Sequence, residues 1–424
     1  MKNKKISITI NILVMLLICN LYLATIGIYN YRTSPAVLIG ALITGVLSLC
    51  YFYQKKSIYK CNWQLYLVIC IGIFYLISGI VYKSPAYLVF GFVFIVQLPF
   101  YYTMVRWKNN DDLIHKFCIW STIFLCLILI VTLTCCRWKG GQYSGIFNNP
   151  NLWGEILAAA LIPLLYLFER TKKNKIKFFI IVVIAICITN IILTASRTAM
   201  LACVTILIVY CIYIVPRTKK LLKNLICATL IICITCSITY LGLRYITPDE
   251  TDALIELGLT TEEQDNGNRD LMEILEGRYL KGIADNGSFS SGRTLIWKEY
   301  IKELSILGND PEPLVIANGN NINKQNAHNA FIQIGYEAGI IAMGMMLLLV
   351  INIAYLLIRK ILTKRLTLLD FFEVSGFGIA IIYMMLSSEY SPYNSFGVLV
   401  FWLFTMPMIL QKDIEADIEK IKVK

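Results

Sequence analysis

Runs of about 20 apolar residues, the length that crosses roughly 30 Å of hydrocarbon as a helix, recur from one end of this chain to the other. A water-soluble core has no use for so many. Inside lipid each run must satisfy its own backbone hydrogen bonds, so each is expected to be a helix. The runs fall at residues 8–29, 35–53, 64–82, 86–105, 117–134, 152–168, 178–194, 198–215, 224–243, 329–358, 370–388 and 393–411. The fold class that follows is an all-α integral membrane protein of about 12 transmembrane helices, a single polytopic membrane domain over residues 1–424 with both termini on one side. Basic residues before the first run resemble a secretory signal, but the stretch from Lys2 to Tyr29 is too long and no small-x-small cleavage site follows it.

Only 16% of the residues are charged, yet the net charge is +12. The basic residues sit in short clusters between apolar runs, which is the positive-inside pattern and excludes nucleic acid as the partner. Of the 39 Lys and Arg, 26 fall on the side of the N-terminus, in the loops 54–63, 106–116, 169–177, 216–223 and 359–365 and at the two ends. Both termini are therefore expected in the cytoplasm. Between Lys177 and Arg217 the only charge is Arg197, nearly at the midpoint. A central Arg within a span costs about 3 kcal/mol on insertion scales, so the segment is read as two spans with a turn at Thr194-Ala195-Ser196-Arg197 on the far side.

The one long polar stretch, residues 244–326, forms a large extracytoplasmic loop between spans 9 and 10. Thr247-Pro248-Asp249-Glu250 predicts a short helix there, since Pro suits a first turn and acids favour the positive end of the helix dipole. Arg269–Lys281 predicts a second. Ser290-Ser291-Gly292-Arg293 leads into a third through Leu304, with Trp297, Ile301 and Leu304 on one face, and Asp310-Pro311-Glu312-Pro313 ends it. The loop has no cysteine, and the 14 cysteines lie almost all in apolar runs, where a thiol acts as a small hydrophobe. Cys233-Ile-Thr-Cys236 has redox or metal spacing but sits within a span. Asp265-Asn266-Gly267-Asn268-Arg269-Asp270 lacks the alternating ligands and final Glu of a calcium loop.

Several arginines gather on the outer side: Arg137, Arg197 and Arg293 near spans, with Arg244, Arg269 and Arg278 further along. A guanidinium is always charged and its planar fork of donors matches phosphate oxygens, so this convergence points to a phosphorylated lipid head. Arg293 opens a predicted helix behind Ser291 and Gly292, where free N–H groups already favour an anion. The plainer alternative is contact with bilayer phosphates or with acids such as Asp285 and Glu299. His328, one of two histidines, stands where the polar loop meets the tenth span, and an imidazole can move a proton near neutrality. The plainer alternative there is that His328 and Asn329 merely start a helix. Ser144–Asn151 likewise supplies a turn and a helix cap. Glu155 and Glu337 lie just inside apolar helices and must pair, an outer arginine being the natural partner.

Gly145-x-Phe147-x-Asn149-Pro150-Asn151 before a span, Ser196-Arg197-Thr198 at an outer turn, Ser291-Gly292-Arg293 with Trp297, and His328-Asn329 followed by Glu337-x-Gly339 occur in that order. Together they resemble the O-antigen ligase and Wzy-type polysaccharide polymerase superfamily over about residues 137–345. The resemblance implies a metal-independent glycosyltransferase of GT-C type, without a cofactor, whose donor is an undecaprenyl diphosphate-linked oligosaccharide in the lipid bilayer. It implies that Arg197 and Arg293 hold the donor diphosphate and that His328 is general base on the acceptor hydroxyl. Arg137, Asn149, Asn151, Asn329 and Glu337 are expected to bind substrate, and no metal ligands are expected.

The reading is a polysaccharide polymerase that joins lipid-linked repeats for a capsule, O-antigen or exopolysaccharide at the outer face of the cytoplasmic membrane, alongside a flippase and a chain-length regulator. A ligase passing the finished glycan to lipid A-core or another acceptor shares every motif. The rival from another class is a lipid-linked oligosaccharide flippase. A transporter is expected to place charges at the midplane and to show two related halves, and neither is visible in this sequence.

Overall fold

The computed structural model describes residues 2–25, 35–55, 58, 62–105, 111–147, 149–217, 221–248, 293–318, 321–363, 365–387, 390–393 and 395–410. Its helices, in chain order, are α1 (Lys2–Thr25), α2 (Pro35–Lys55), α3 (Trp63–Val81), α4 (Pro85–Phe92), α5 (Leu98–Met104), α6 (Asp111–Cys135), α7 (Pro150–Arg170), α8 (Asn174–Thr194), α9 (Arg197–Ile214) and α10 (Leu221–Leu241). There follow α11 (Arg293–Lys302), α12 (Ala330–Ala338), α13 (Ile340–Thr363), α14 (Leu368–Leu386) and α15 (Phe396–Val400). A π-turn at Val93–Gln97 joins α4 to α5 as one span, and another at Phe401–Thr405 carries α15 on to Leu410. Among the described residues, eleven helices are long and apolar enough to cross a membrane. The protein is an all-α integral membrane protein. The twelfth expected span corresponds to the shorter helix Phe396–Leu410, every residue of which is buried.

Burial sorts these helices into centre and periphery. In α7, 78% of the most apolar window is buried, against 11% in α10, so α7 is the central post and α10 turns almost entirely to lipid. Around α7 pack α6, α8, α9, α14 and α15. The expected turn between α8 and α9 is present: Ala195 adopts φ +49°, and the Ser196 side chain accepts from Ala199 N–H to open α9. Gly154 allows α7 to lie hard against that turn, because a Cβ there would stand 2.7 Å from Ala199 Cβ and 2.9 Å from Thr194 Oγ1.

Two features depart from the sequence reading. The tenth span, expected as one helix over 329–358, is two helices broken at Gly339 (φ +97°, ψ +160°). The chain segment after α11 causes the break: Ser305 C=O accepts from Ile340 N–H at 2.9 Å, and a Cβ on Gly339 would lie 1.9 Å from Ile306 O. Reciprocally, a Cβ on Gly308 would lie 2.1 Å from Glu337 O, so two backbones touch where only glycine fits. The second feature is a small antiparallel hairpin in the polar loop, β1 (Leu314–Asn318) with β2 (Asn321–Gln325), in register Leu314↔Gln325. The helix through Leu304 is observed as Arg293–Lys302, while the predicted helices at 247–250 and 269–281 and the segment 265–270 lie wholly or mainly outside the described residues.

The turn between α13 and α14, at the end of the bundle away from this loop, is closed by charge. Lys360 is ion-paired with both Asp370 and Glu373, and Thr367 and Asp370 form a capping box. Cys233 and Cys236 lie on α10, within the candidate span Ile226–Ile246.

Candidate functional site

At the loop end of the bundle, four helix starts and one helix end converge. Asn149 opens α7, its side chain accepting from Asn151 N–H at 2.8 Å. Arg197 is the first residue of α9 and Arg293 the first of α11. Asn329 caps α12, accepting from Phe331 N–H at 3.0 Å and Ile332 N–H at 3.2 Å. The last turn of α14 ties two of these together. Asn329 Nδ2 donates to Met385 O at 3.3 Å, and Tyr383 Oη donates to Glu155 O at 2.5 Å in the second turn of α7.

The charges of the site meet at Arg293. Partial burial pulls its guanidinium below the ordinary arginine value, the Glu155 carboxylate acts in the opposite direction, and the Arg197 guanidinium lowers it again. Residues 96 and 138 positions apart in sequence thus act on one another through space. With Arg197 and the buried Glu155 both near enough to act on Arg293, the three carry a net positive charge in a partly dehydrated setting, which favours an anion with several oxygens.

His328 is held in the turn before α12 with φ +49°. Left-handed backbone costs a side-chain-bearing residue on the order of 1 kcal/mol and persists where the surroundings over-determine it. The flanks do so here. Ala327 is fully buried and its N–H donates to Gln333 Oε1 at 2.9 Å, while Asn329 is fixed by its cap and by Met385. Neighbouring α11 supports the same turn: Tyr300 Oη donates to Gln325 O at 2.6 Å, its ring meets that of Tyr336 edge-on at 4.9 Å, and Ile296, Tyr300, Ile316, Ala327 and Tyr336 form one small apolar cluster. Arg293 and His328 are thus carried by two elements packed on each other.

The sequence-derived candidates divide accordingly. Arg197, Arg293 and Glu155 come together, and Asn329 joins them through the end of α14. Arg137 is anchored differently, its Nε donating to Arg244 O at 3.2 Å beyond the end of α10, with the Arg244 guanidinium 5.1 Å from the Trp138 ring. Asn149 spends its side-chain oxygen on the helix cap, and Asn151 contributes the N–H it accepts from. Among the described residues the donors to the Glu337 carboxyl are neutral and not the expected arginine: Gln333 Nε2 donates to Oε1 at 2.7 Å, and Tyr75 at 3.1 Å and Tyr390 donate to Oε2. It is also not on a continuous helix with His328, which precedes the cap of α12.

Residues 180–349 match the family model described as O-Antigen ligase. That match makes this segment similar to the O-antigen ligase family and supports the resemblance read from the motifs. The matched segment holds Arg197, Arg293, His328, Glu337 and Gly339, whereas Glu155, which acts on Arg293, Tyr383, which donates to Glu155 O, and Tyr390, which donates to Glu337, come from outside it. No curated protein and no solved structure matches the chain. Similarity to the O-antigen ligase family points to a reaction of the glycosyl-transfer type in general, in a chain with many membrane-spanning helices.

Sequence reasoning did not single out Gln333, Tyr75, Tyr383 or Tyr390. One signal was available for Gln333: it is an amide one helical turn before a carboxylate, the i, i+4 spacing at which two side chains meet. The tyrosines gave none, since in a chain with 25 of them a membrane-buried tyrosine looks like any other core aromatic.

Proposed function

We propose that the protein is a polysaccharide polymerase that joins oligosaccharide repeats linked to undecaprenyl diphosphate, at the extracytoplasmic face of the cytoplasmic membrane. The observation that carries this reading is that Arg197 and Glu155 both act electrostatically on Arg293, at the end of the bundle that also holds His328.

In this mechanism Arg197 and Arg293 take the diphosphate of the donor. His328 accepts the proton of an acceptor hydroxyl as its oxygen attacks the anomeric carbon. The bond between that carbon and the phosphate oxygen breaks, and its electron pair leaves with the diphosphate. The products are a glycosidic bond, undecaprenyl diphosphate and a protonated His328. Fixed guanidiniums stabilise the negative charge that grows on the leaving oxygen, and a positioned base typically contributes on the order of 10² to 10⁴ in rate. Glu155 spaces and aligns the two arginines, which would otherwise repel.

A second reading, ligation of a finished glycan to lipid A-core or another acceptor, has the description of the matching family in its favour. The two differ in acceptor. Purified protein in liposomes, supplied only with lipid-linked single repeats, yields a ladder of longer lipid-linked glycans if it is a polymerase. A protein that leaves the repeats unchanged until lipid A-core is added is a ligase, and that result would remove the polymerase reading.

A further inference from the structure

Glu337 is 4% exposed and Gln333 2% exposed, so neither faces open solvent. The carboxylate receives three donors, the amide of Gln333 on one oxygen and the hydroxyls of Tyr75 and Tyr390 on the other. Three donors converging on one side chain call for a group that only accepts, which a carboxylate does and an amide does not. The backbone next to it is pinned as well: Ser78 Oγ donates to Glu337 O at 2.6 Å, and the rings of Tyr75 and Tyr390 stack at 6.1 Å. With its amide nitrogen committed to this anchor, Gln333 presents its oxygen to one target, the N–H of Ala327.

We infer that Glu337 and Gln333 are positioning residues that hold the turn carrying His328, linking a fixed anchor on α3 and the segment after α14 to the backbone just before the imidazole. The inference rests on the reading of His328 as the acceptor base. Ala327 is held by donating its N–H to the Gln333 side-chain oxygen and Asn329 by donating its amide N–H to Met385 O, and His328 lies between them in the left-handed conformation. Loss of the Gln333 bond releases one flank and lets the backbone return to a right-handed or extended form, which redirects the imidazole without altering Arg197 or Arg293. The relay therefore acts on proton removal and leaves donor capture alone.

The test uses full-length protein in liposomes with a lipid-linked repeat as donor, measuring donor binding and single-turnover transfer separately. Gln333→Leu, close in volume, is expected to slow transfer by about tenfold or more, the scale of one lost hydrogen bond, with donor affinity held within about twofold. Glu337→Leu is expected to do the same, Glu337→Gln to recover only part of the loss because its amide oxygen accepts from Gln333 while its amide nitrogen brings a donor to the tyrosine hydroxyls, and the Gln333→Leu/Glu337→Leu pair to be no worse than the poorer single variant. The deciding comparison is made in a His328→Ala background, where Gln333→Leu is expected to cause no further slowing. Equal slowing with and without His328, or an unchanged rate in Gln333→Leu, overturns the relay while leaving His328 as base. Transfer at the original rate in His328→Ala alone overturns the base assignment, and the relay with it.

Discussion

Replacing Gly339 by alanine tests whether the break between α12 and α13 is required by the fold. At φ +97° and ψ +160° the residue occupies a region that only glycine populates readily, and forcing a side-chain-bearing residue there costs on the order of 1–3 kcal/mol. The added Cβ would lie 1.9 Å from Ile306 O, so the two strands of backbone must part and the Ile340 N–H to Ser305 C=O bond of 2.9 Å is lost. A bond of this kind contributes about 0.5–1.5 kcal/mol. The two terms together give about 2–4 kcal/mol of destabilisation. Gly344 is the internal control: it lies in α13, nothing stands within 4 Å of its would-be Cβ, and alanine there is neutral or stabilising by up to about 1 kcal/mol. Unfolding of the purified variants in detergent, followed by tryptophan fluorescence against temperature and denaturant, should rank Gly344→Ala at or above the parent protein and Gly339→Ala well below it. Equal stability of the two variants would refute the reasoning, since it would mean that the chain can cross from α12 to α13 without the glycine conformation.

Four further outcomes are expected. Arg197→Lys and Arg293→Lys should each lose most transfer activity, because a point ammonium keeps the charge but not the two-pronged fit to a diphosphate; normal activity in both would make them bilayer or structural contacts. Lys360→Met should destabilise the protein by about 3–5 kcal/mol, since it strands Asp370 and the fully buried Glu373, while leaving donor binding intact. Tyr383→Phe removes the donor to Glu155 O and should cost about 1 kcal/mol of stability together with a measurable loss of donor affinity; unchanged affinity would detach Tyr383 from the site. In a cysteine-free background, Gly287→Cys and Asn318→Cys should react with an impermeant thiol reagent on intact cells and Asn174→Cys should not, and the reverse pattern would invert the assigned orientation.

The helices were legible because each is a long apolar run closed by polar residues, and the turn before Arg197 was legible because a lone arginine midway through 39 residues admits few other placements. The break at Gly339 was not, since the tenth apolar run continues unbroken through it and the cause is a remote backbone, residues 305–308, pressed against it. Arg197, Arg293 and His328 could be named from residue type and from the resemblance they complete. Their common framework could not: Tyr383 reaches Glu155 across 228 positions and Tyr75 reaches Glu337 across 262, pairings that depend on how helices pack and leave no local pattern. Glu337 shows the limit most clearly. Its burial in an apolar helix correctly required partners, but the cheapest partners in the folded protein are neutral hydroxyls and an amide instead of the arginine that charge alone suggests.

The central claim, that His328 removes the acceptor proton beside a donor held by Arg197 and Arg293, is tested most directly by measuring donor binding and transfer on one preparation of His328→Ala in liposomes containing undecaprenyl diphosphate-linked repeats. The account predicts donor affinity within about twofold of the parent protein and transfer slowed by about 10² to 10⁴, with single repeats accumulating. Donor binding that falls along with transfer would contradict it by moving His328 to the diphosphate, and undiminished transfer would remove the histidine from the chemistry.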